Sequence, residues 1–341
     1  MLVFLPLAFF GLGTMIMAEQ SDWEFPLAAQ PAPEELGFDL DRALRSVVAV
    51  SAHIPEDAFT ASILGTERGG NGVVIDESGL ILTIGYLITE ADRLWLTTAD
   101  GVAAPAYVVG YDMGTGLGLV QALGRLGVPA LEIGSARQSE IGDSVIVAGE
   151  GGRRHALKAH VVSKREFAGY WEYVLDEAIF TSPPHPNWGG AALIGRDGRL
   201  QGIGSLFVQQ AQGEEVRNDG NMIVPIDLLK PILDDMLKFG RVNEPPQPWL
   251  GMYTTEYEDN FVVAGLAETG PAAQAGIRVG DIVLEVSGLS VQSLADLFRK
   301  IWAVGPAGSA IPLTIARDGE VHEMVIRSAD RTDYLKSPSV H

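Results

Sequence analysis

Residues 71–101 read NGVVIDESGLILTIGYLITEADRLWLTTADG. Within them Gly72–Ile75, Leu80–Ile84 and Leu94–Thr98 are short apolar and β-branched runs set apart by polar or glycine-bearing turns, the pattern of consecutive strands. Outward from this stretch the same pattern repeats. It continues at Ser46–Ser51, Ala106–Val109, Leu117–Ala122, Ser144–Ala148, Ala159–Ser163, Ala178–Thr181, Gly190–Ile194 and Leu200–Ser205. Many short strands at close spacing, with no helices alternating between them, predict an all-β barrel or sandwich rather than a doubly wound sheet. One helix is expected at Ile226–Leu237, where Ile226, Leu229, Leu233 and Leu237 recur at helical spacing between Pro225 and Gly240.

NEPPQP at 243–248 then favours a stiff, extended connector. Beyond it the pattern predicts a small mixed sheet with two helices. It reads strand, strand, short helix at Pro271–Ala275, strand at Asp281–Val286, helix at Ser293–Trp302, and strands at Ala310–Ala316 and Val321–Arg327. The chain is therefore divided into segment 1–18, a flexible leader 19–40, a β-rich domain 41–242, the linker 243–248, a second domain 249–330 and a tail 331–341. The proline-rich connector implies two largely independent units.

Composition narrows the function. The 341 residues carry 24 basic and 44 acidic side chains, a net charge of −20 that repels phosphate backbones and anionic membranes, so nucleic acid is excluded as a partner. The absence of cysteine removes disulfides and thiolate chemistry, and the six histidines show no metal-ligand spacing. No metal and no cofactor are expected. Residues 1–18, MLVFLPLAFFGLGTMIMA, are uncharged and apolar. They predict export, either as a signal peptide cut after Ala18 or as an uncleaved inner-membrane anchor, and place the rest outside the cytoplasm, in the periplasm.

Several phrases resemble the HtrA/Deg family of trypsin-like serine proteases. Residues 71–101 resemble the strand pair around that family's catalytic histidine. YVVGYDMGTGLGLVQA (107–122) resembles the strand bearing its aspartate, and HPNWGGAAL (185–193) the loop bearing its serine. MIVPIDLLKPILDDMLKFGRV (222–242) is similar to the helix that closes its protease domain, and WLGMY (249–253) with GPAAQAGIRVGDIVLEVSGLSV (270–291) resembles its PDZ module. The resemblance implies a mainly β fold, a trypsin-like double β-barrel followed by a PDZ domain.

Where that family has histidine, aspartate and serine, the matched positions hold Tyr86, Gly116 and Trp188. Tyrosine, with an ordinary pKa near 10, is no general base at neutral pH; glycine orients nothing; tryptophan offers no nucleophile. No histidine lies between His53 and His155, so none can stand on the strand after GLILT. Ser182 and His185 share one loop and could form a substitute pair, but no acid is evidently placed to orient it, and Asp112 is four strand positions from the old site. Pro186, two places before Trp188, has no N–H to give an oxyanion hole.

In the PDZ-like tail the backbone amides of Leu250, Gly251 and Met252 are expected to form a nest for a peptide's terminal carboxylate. Leu294, Leu297 and Ile301 are expected along the groove or in the core beneath it. The expected function is a catalytically inactive extracytoplasmic adaptor that binds C-terminal or extended client peptides, alone or in homo- or hetero-oligomers with active family members. The alternatives are a holdase chaperone and a residual serine-type endopeptidase.

Overall fold

The structure, a computed structural model, describes residues 23–213 and 218–336. Segment 1–18 and the end of the tail lie outside the described residues. The first six strands are β1 (Val47–His53), β2 (Glu67–Val74), β3 (Leu80–Ile84), β4 (Arg93–Thr98), β5 (Ala103–Tyr111) and β6 (Leu117–Ala122). They close into a barrel in the order β1-β2-β3-β6-β5-β4. The next six are β7 (Ser144–Ala148), β8 (Ala156–Gly169), β9 (Tyr173–Ser182), β10 (Ala192–Ile194), β11 (Leu200–Val208) and β12 (Gly220–Pro225). They close a second barrel in the order β10-β11-β12-β9-β8-β7.

The reason for closure is visible in burial. β3 and β12 are buried at every position, as central barrel strands without an aqueous face must be, whereas β4 alternates. β12 was not expected as a strand. Its apolar NMIVP runs straight into the following turn without a glycine or polar break, so the sequence offers no boundary there.

Short helices α1 (Leu40–Leu44), α2 (Ala61–Leu64) and α3 (Gly85–Ile88) punctuate the first barrel. The helix expected at Ile226–Leu237 is in fact a 3-10 turn, Ile226–Leu228, followed by α4 (Leu233–Phe239). Pro231 falls between the two. It has no N–H for the helix ladder and disfavours helical geometry at Lys230, so the periodicity survives while the helix breaks.

The C-terminal sheet comprises β13 (Met252–Tyr257), β14 (Asn260–Leu266), β15 (Ile282–Val286), β16 (Leu289–Ser290), β17 (Ala310–Arg317) and β18 (Glu320–Arg327), with α5 (Pro271–Gln274) and α6 (Leu294–Ala303). Its order is β13-β14-β15-β17-β18, so β13 is an edge strand. Ser293 caps α6 by accepting from the Asp296 N–H at 3.0 Å.

The leader, expected to be flexible, the linker and the tail are all tied down. From the leader, the Trp23 ring stacks on His155 at 4.5 Å between centroids, and Phe25 meets the His185 ring at 5.1 Å. The Pro246 carbonyl in the linker accepts from Ala307 N–H at 2.8 Å. In the tail, Tyr334 packs on Trp249 and the Lys336 N–H donates to Glu90 in the first barrel at 2.9 Å. Trp249 also meets Phe59 of the first domain, 5.9 Å between centroids. The two domains are thus in contact rather than independent, because aromatic side chains flanking the linker bury apolar area across the boundary.

Candidate functional site

The seam between the barrels is where Tyr86, Gly116 and Trp188 meet. Tyr86, in α3, donates its hydroxyl to the Ser205 carbonyl at 2.9 Å. Burial pushes the phenol well above its ordinary pKa. Its carbonyl is held by Arg68, whose Nη1 donates at 2.8 Å. Trp188 is half-buried and leans on Phe207, 5.9 Å between centroids.

Gly116 joins the same seam through its backbone, its carbonyl accepting from Gly85 N–H at 2.7 Å. Its φ of +77° lies in the left-handed region that favours glycine. A Cβ at this position would stand 3.2 Å from the Tyr173 hydroxyl, which itself donates to the Thr115 carbonyl at 2.7 Å. Tyr173 therefore fills the space into which a side chain at 116 would point. No sequence pattern singled it out, because its role depends on β9 folding back over the first barrel.

Around Pro186 the hydrogen bonds are committed elsewhere. His185 is fully buried, and its Nδ1 accepts from Asn187 N–H at 3.0 Å. Its Nε2 donates to the His155 carbonyl at 3.0 Å, since a carbonyl can only accept. Both ring nitrogens are occupied. Burial lowers the His185 pKa to about 4. The Ser182 hydroxyl is satisfied by the Asp219 carbonyl at 2.9 Å and Asn218 Oδ1 at 3.1 Å. The structure does not pair Ser182 with His185. Asp112 is likewise spent locally, accepting from Thr115 N–H at 2.7 Å.

The second site is the loop before β13. Gly251 turns there with φ +69°, and a Cβ would come within 3.0 Å of the Trp249 ring and of Ala267. The turn aims three amides at one point, and a carboxylate sits there. It is that of Glu172, from the tip between β8 and β9. Its Oε1 accepts from Gly251 N–H at 2.7 Å and Met252 N–H at 3.1 Å, and its Oε2 from Leu250 N–H at 3.1 Å. Two residues earlier, the Tyr170 carbonyl accepts from Thr254 N–H on β13 at 3.2 Å.

Of the expected groove residues, Leu297 and Ile301 are fully buried in the core of this domain, and Leu294 packs against that core. Val174, from β9, packs against it as well. Leu297 and Ile301 therefore line no open groove; the α6 face that carries them packs inward. Arg299 on the same helix bridges outward to Glu166 and Asp176 on the two strands of the hairpin.

Comparison with known proteins matches residues 70–203 to the trypsin-like peptidase domain and residues 248–327 to the PDZ domain. This is a trypsin-like domain followed by a PDZ domain. The chain is 27% identical over 302 residues to serine endoprotease DegS of Salmonella typhimurium, covering 84% of this chain and 83% of the relative. It is 27% identical over 286 residues to a probable periplasmic serine endoprotease, DegP-like, of Halomonas elongata, covering 78% of this chain but only 57% of that longer relative. Among solved structures it resembles the HtrA-type protease AlgW with tripeptide and with decapeptide. For each the TM-score is 0.50 and the identity 19% over 88% of this chain, covering 97% and 98% of the respective solved chains. No helix among the described residues is long and apolar enough to cross a membrane.

Proposed function

We propose that this HtrA-like chain is a non-catalytic relative of the trypsin-like proteases, working in the periplasm as an adaptor that binds client peptides by their C-termini. The observation that carries the reading is the pair of side chains at the seam, Tyr86 with its hydroxyl spent on the Ser205 carbonyl at 2.9 Å and Trp188 where the nucleophile would stand. These are the two side chains standing where a nucleophile and its base are needed, and neither can do that chemistry. The base position is a phenol pushed further from useful basicity by burial, and the orienting position is a glycine with Tyr173 against it.

The PDZ loop supports the binding half of the reading, because its three amides already hold a carboxylate in this structure. The named relatives, serine endoproteases, favour the competing reading of a residual endopeptidase. The two are separated by incubating the whole protein with unfolded casein and with an immobilised library of short peptides bearing free C-termini. Capture of peptides with no casein fragments is expected. Casein cleavage that survives repeated purification would overturn the non-catalytic reading.

A further inference from the structure

The occupant of the PDZ loop is part of the chain itself, and its placement follows the rules of a bound peptide. In strand addition, a ligand runs antiparallel to the edge strand with its terminal carboxylate in the amide nest and its backbone paired to the strand behind it. The tip of the β8–β9 hairpin does both. Running from Tyr170 to Glu172 it passes β13 from Thr254 back to Leu250, with a carbonyl on Thr254 N–H and a carboxylate on the three amides. Among the described residues β13 has no other strand on that side. The docking is reinforced at its margins. The Tyr170 ring meets Tyr253 at 6.1 Å, Arg331 donates to the Trp171 carbonyl at 3.5 Å, and Arg299 pairs with both hairpin strands.

A second feature points the same way. Gly169 and Tyr173 pair across the hairpin, leaving the three-residue loop Tyr170–Trp171–Glu172, whose last residue has φ +63°. That left-handed position in a three-residue hairpin loop is one that glycine fills without cost. A glutamate there is strained unless its side chain is needed, and its side chain is the group that reaches the nest.

We propose that Tyr170–Glu172 is a tethered internal ligand of the PDZ groove, so that a client's C-terminal carboxylate is captured only by displacing the Glu172 carboxylate. The proposal rests on the reading of this loop as a carboxylate receptor. The three amides cannot serve two carboxylates at once, so the two ligands exclude each other. Tethering gives the internal ligand an effective concentration on the order of millimolar, which weak clients do not overcome. Burial pushes the Glu172 carboxyl up to about 7 against the pull of the amides and of Arg331, so its charge is housed at a cost and a better-placed carboxylate can replace it.

The test compares the full chain with Glu172→Gly, which removes the carboxylate while suiting the backbone, and with Glu172→Asn, which tolerates the same φ. Both are assayed against the peptide library in free-acid and amidated forms. Both variants should bind free-acid peptides about tenfold or more tighter than the native protein, with little gain for amidated ones. Hydrogen exchange at the Leu250, Gly251 and Met252 amides should be slow in the native chain and fast in the unliganded variants. Equal peptide affinity and equal exchange in native and variant chains would overturn the internal ligand and leave the carboxylate receptor standing. If no free-acid peptide binds any of the three proteins, the receptor reading falls, and the proposal with it.

Discussion

At position 116 the backbone itself resists an aspartate. Its φ of +77° costs a residue with a Cβ roughly 1–2 kcal/mol. The Tyr173 hydroxyl, 3.2 Å from the would-be Cβ, must also move before a carboxylate could reach any imidazole. This gives the triad positions a sharper meaning than the lost side chains alone. The combined variant Tyr86→His, Gly116→Asp, Trp188→Ser should remain at least about a hundredfold below an ordinary serine protease on a casein or peptide substrate. With Pro186 at the position where the resemblance puts an oxyanion-hole donor, the hole is expected to lack one N–H, a loss of roughly 2.7–4 kcal/mol of transition-state stabilisation. Ordinary protease rates from the triple variant would show that the seam is built for catalysis after all. The identities at 86, 116 and 188 were legible in the sequence because strand phrases on either side fixed their places. Tyr173 and Glu172 were not, since each acts on a segment far away in the chain.

Among the elements, the leader is the one whose order the sequence concealed. Its proline- and acid-rich composition has no period, yet Trp23 and Phe25 cover His155 and His185, and the His155 Nε2 donates to the Trp23 carbonyl at 2.8 Å. Burial keeps His185 neutral with a pKa of about 4, below the ordinary value of 6.5. A folded-state value below the unfolded one means the folded chain binds fewer protons. The stability His185 contributes is therefore fully present above about 6.5 and is lost as pH falls through about 4. Imidazole NMR should show the His185 ring titrating near 4 in the native protein and shifted toward 6.5 in Trp23→Ala/Phe25→Ala. A native His185 titrating near its ordinary value would mean that the leader does not seal this site. The same contrast between local pattern and distant contact explains α4 and the β8–β9 hairpin. Pro231 stands in the sequence, but regular leucine spacing on both sides of it masks its helix-breaking effect, whereas nothing in AGYWEY announces a carboxylate for the PDZ loop.

For the whole molecule, the order of two barrels and a PDZ sheet followed from strand spacing, the proline-rich link and the family phrases, and the structure has that order. What the sequence obscured is how the parts are joined. A proline-rich linker suggested separate units, but Trp249, the tail at Lys336 and the carboxylate of Glu172 bind the PDZ domain to the barrels. Such joins depend on single long-range contacts, which leave no periodic trace. They also make the chain one assembly in which a hairpin of the protease-shaped body holds the amide loop of the PDZ domain. The central claim is that this body has no serine nucleophile, and intact-mass measurement after exposure to a serine-directed fluorophosphonate tests it most directly. The native protein should gain no adduct. An adduct that forms stoichiometrically and is lost in Ser182→Ala would contradict the account.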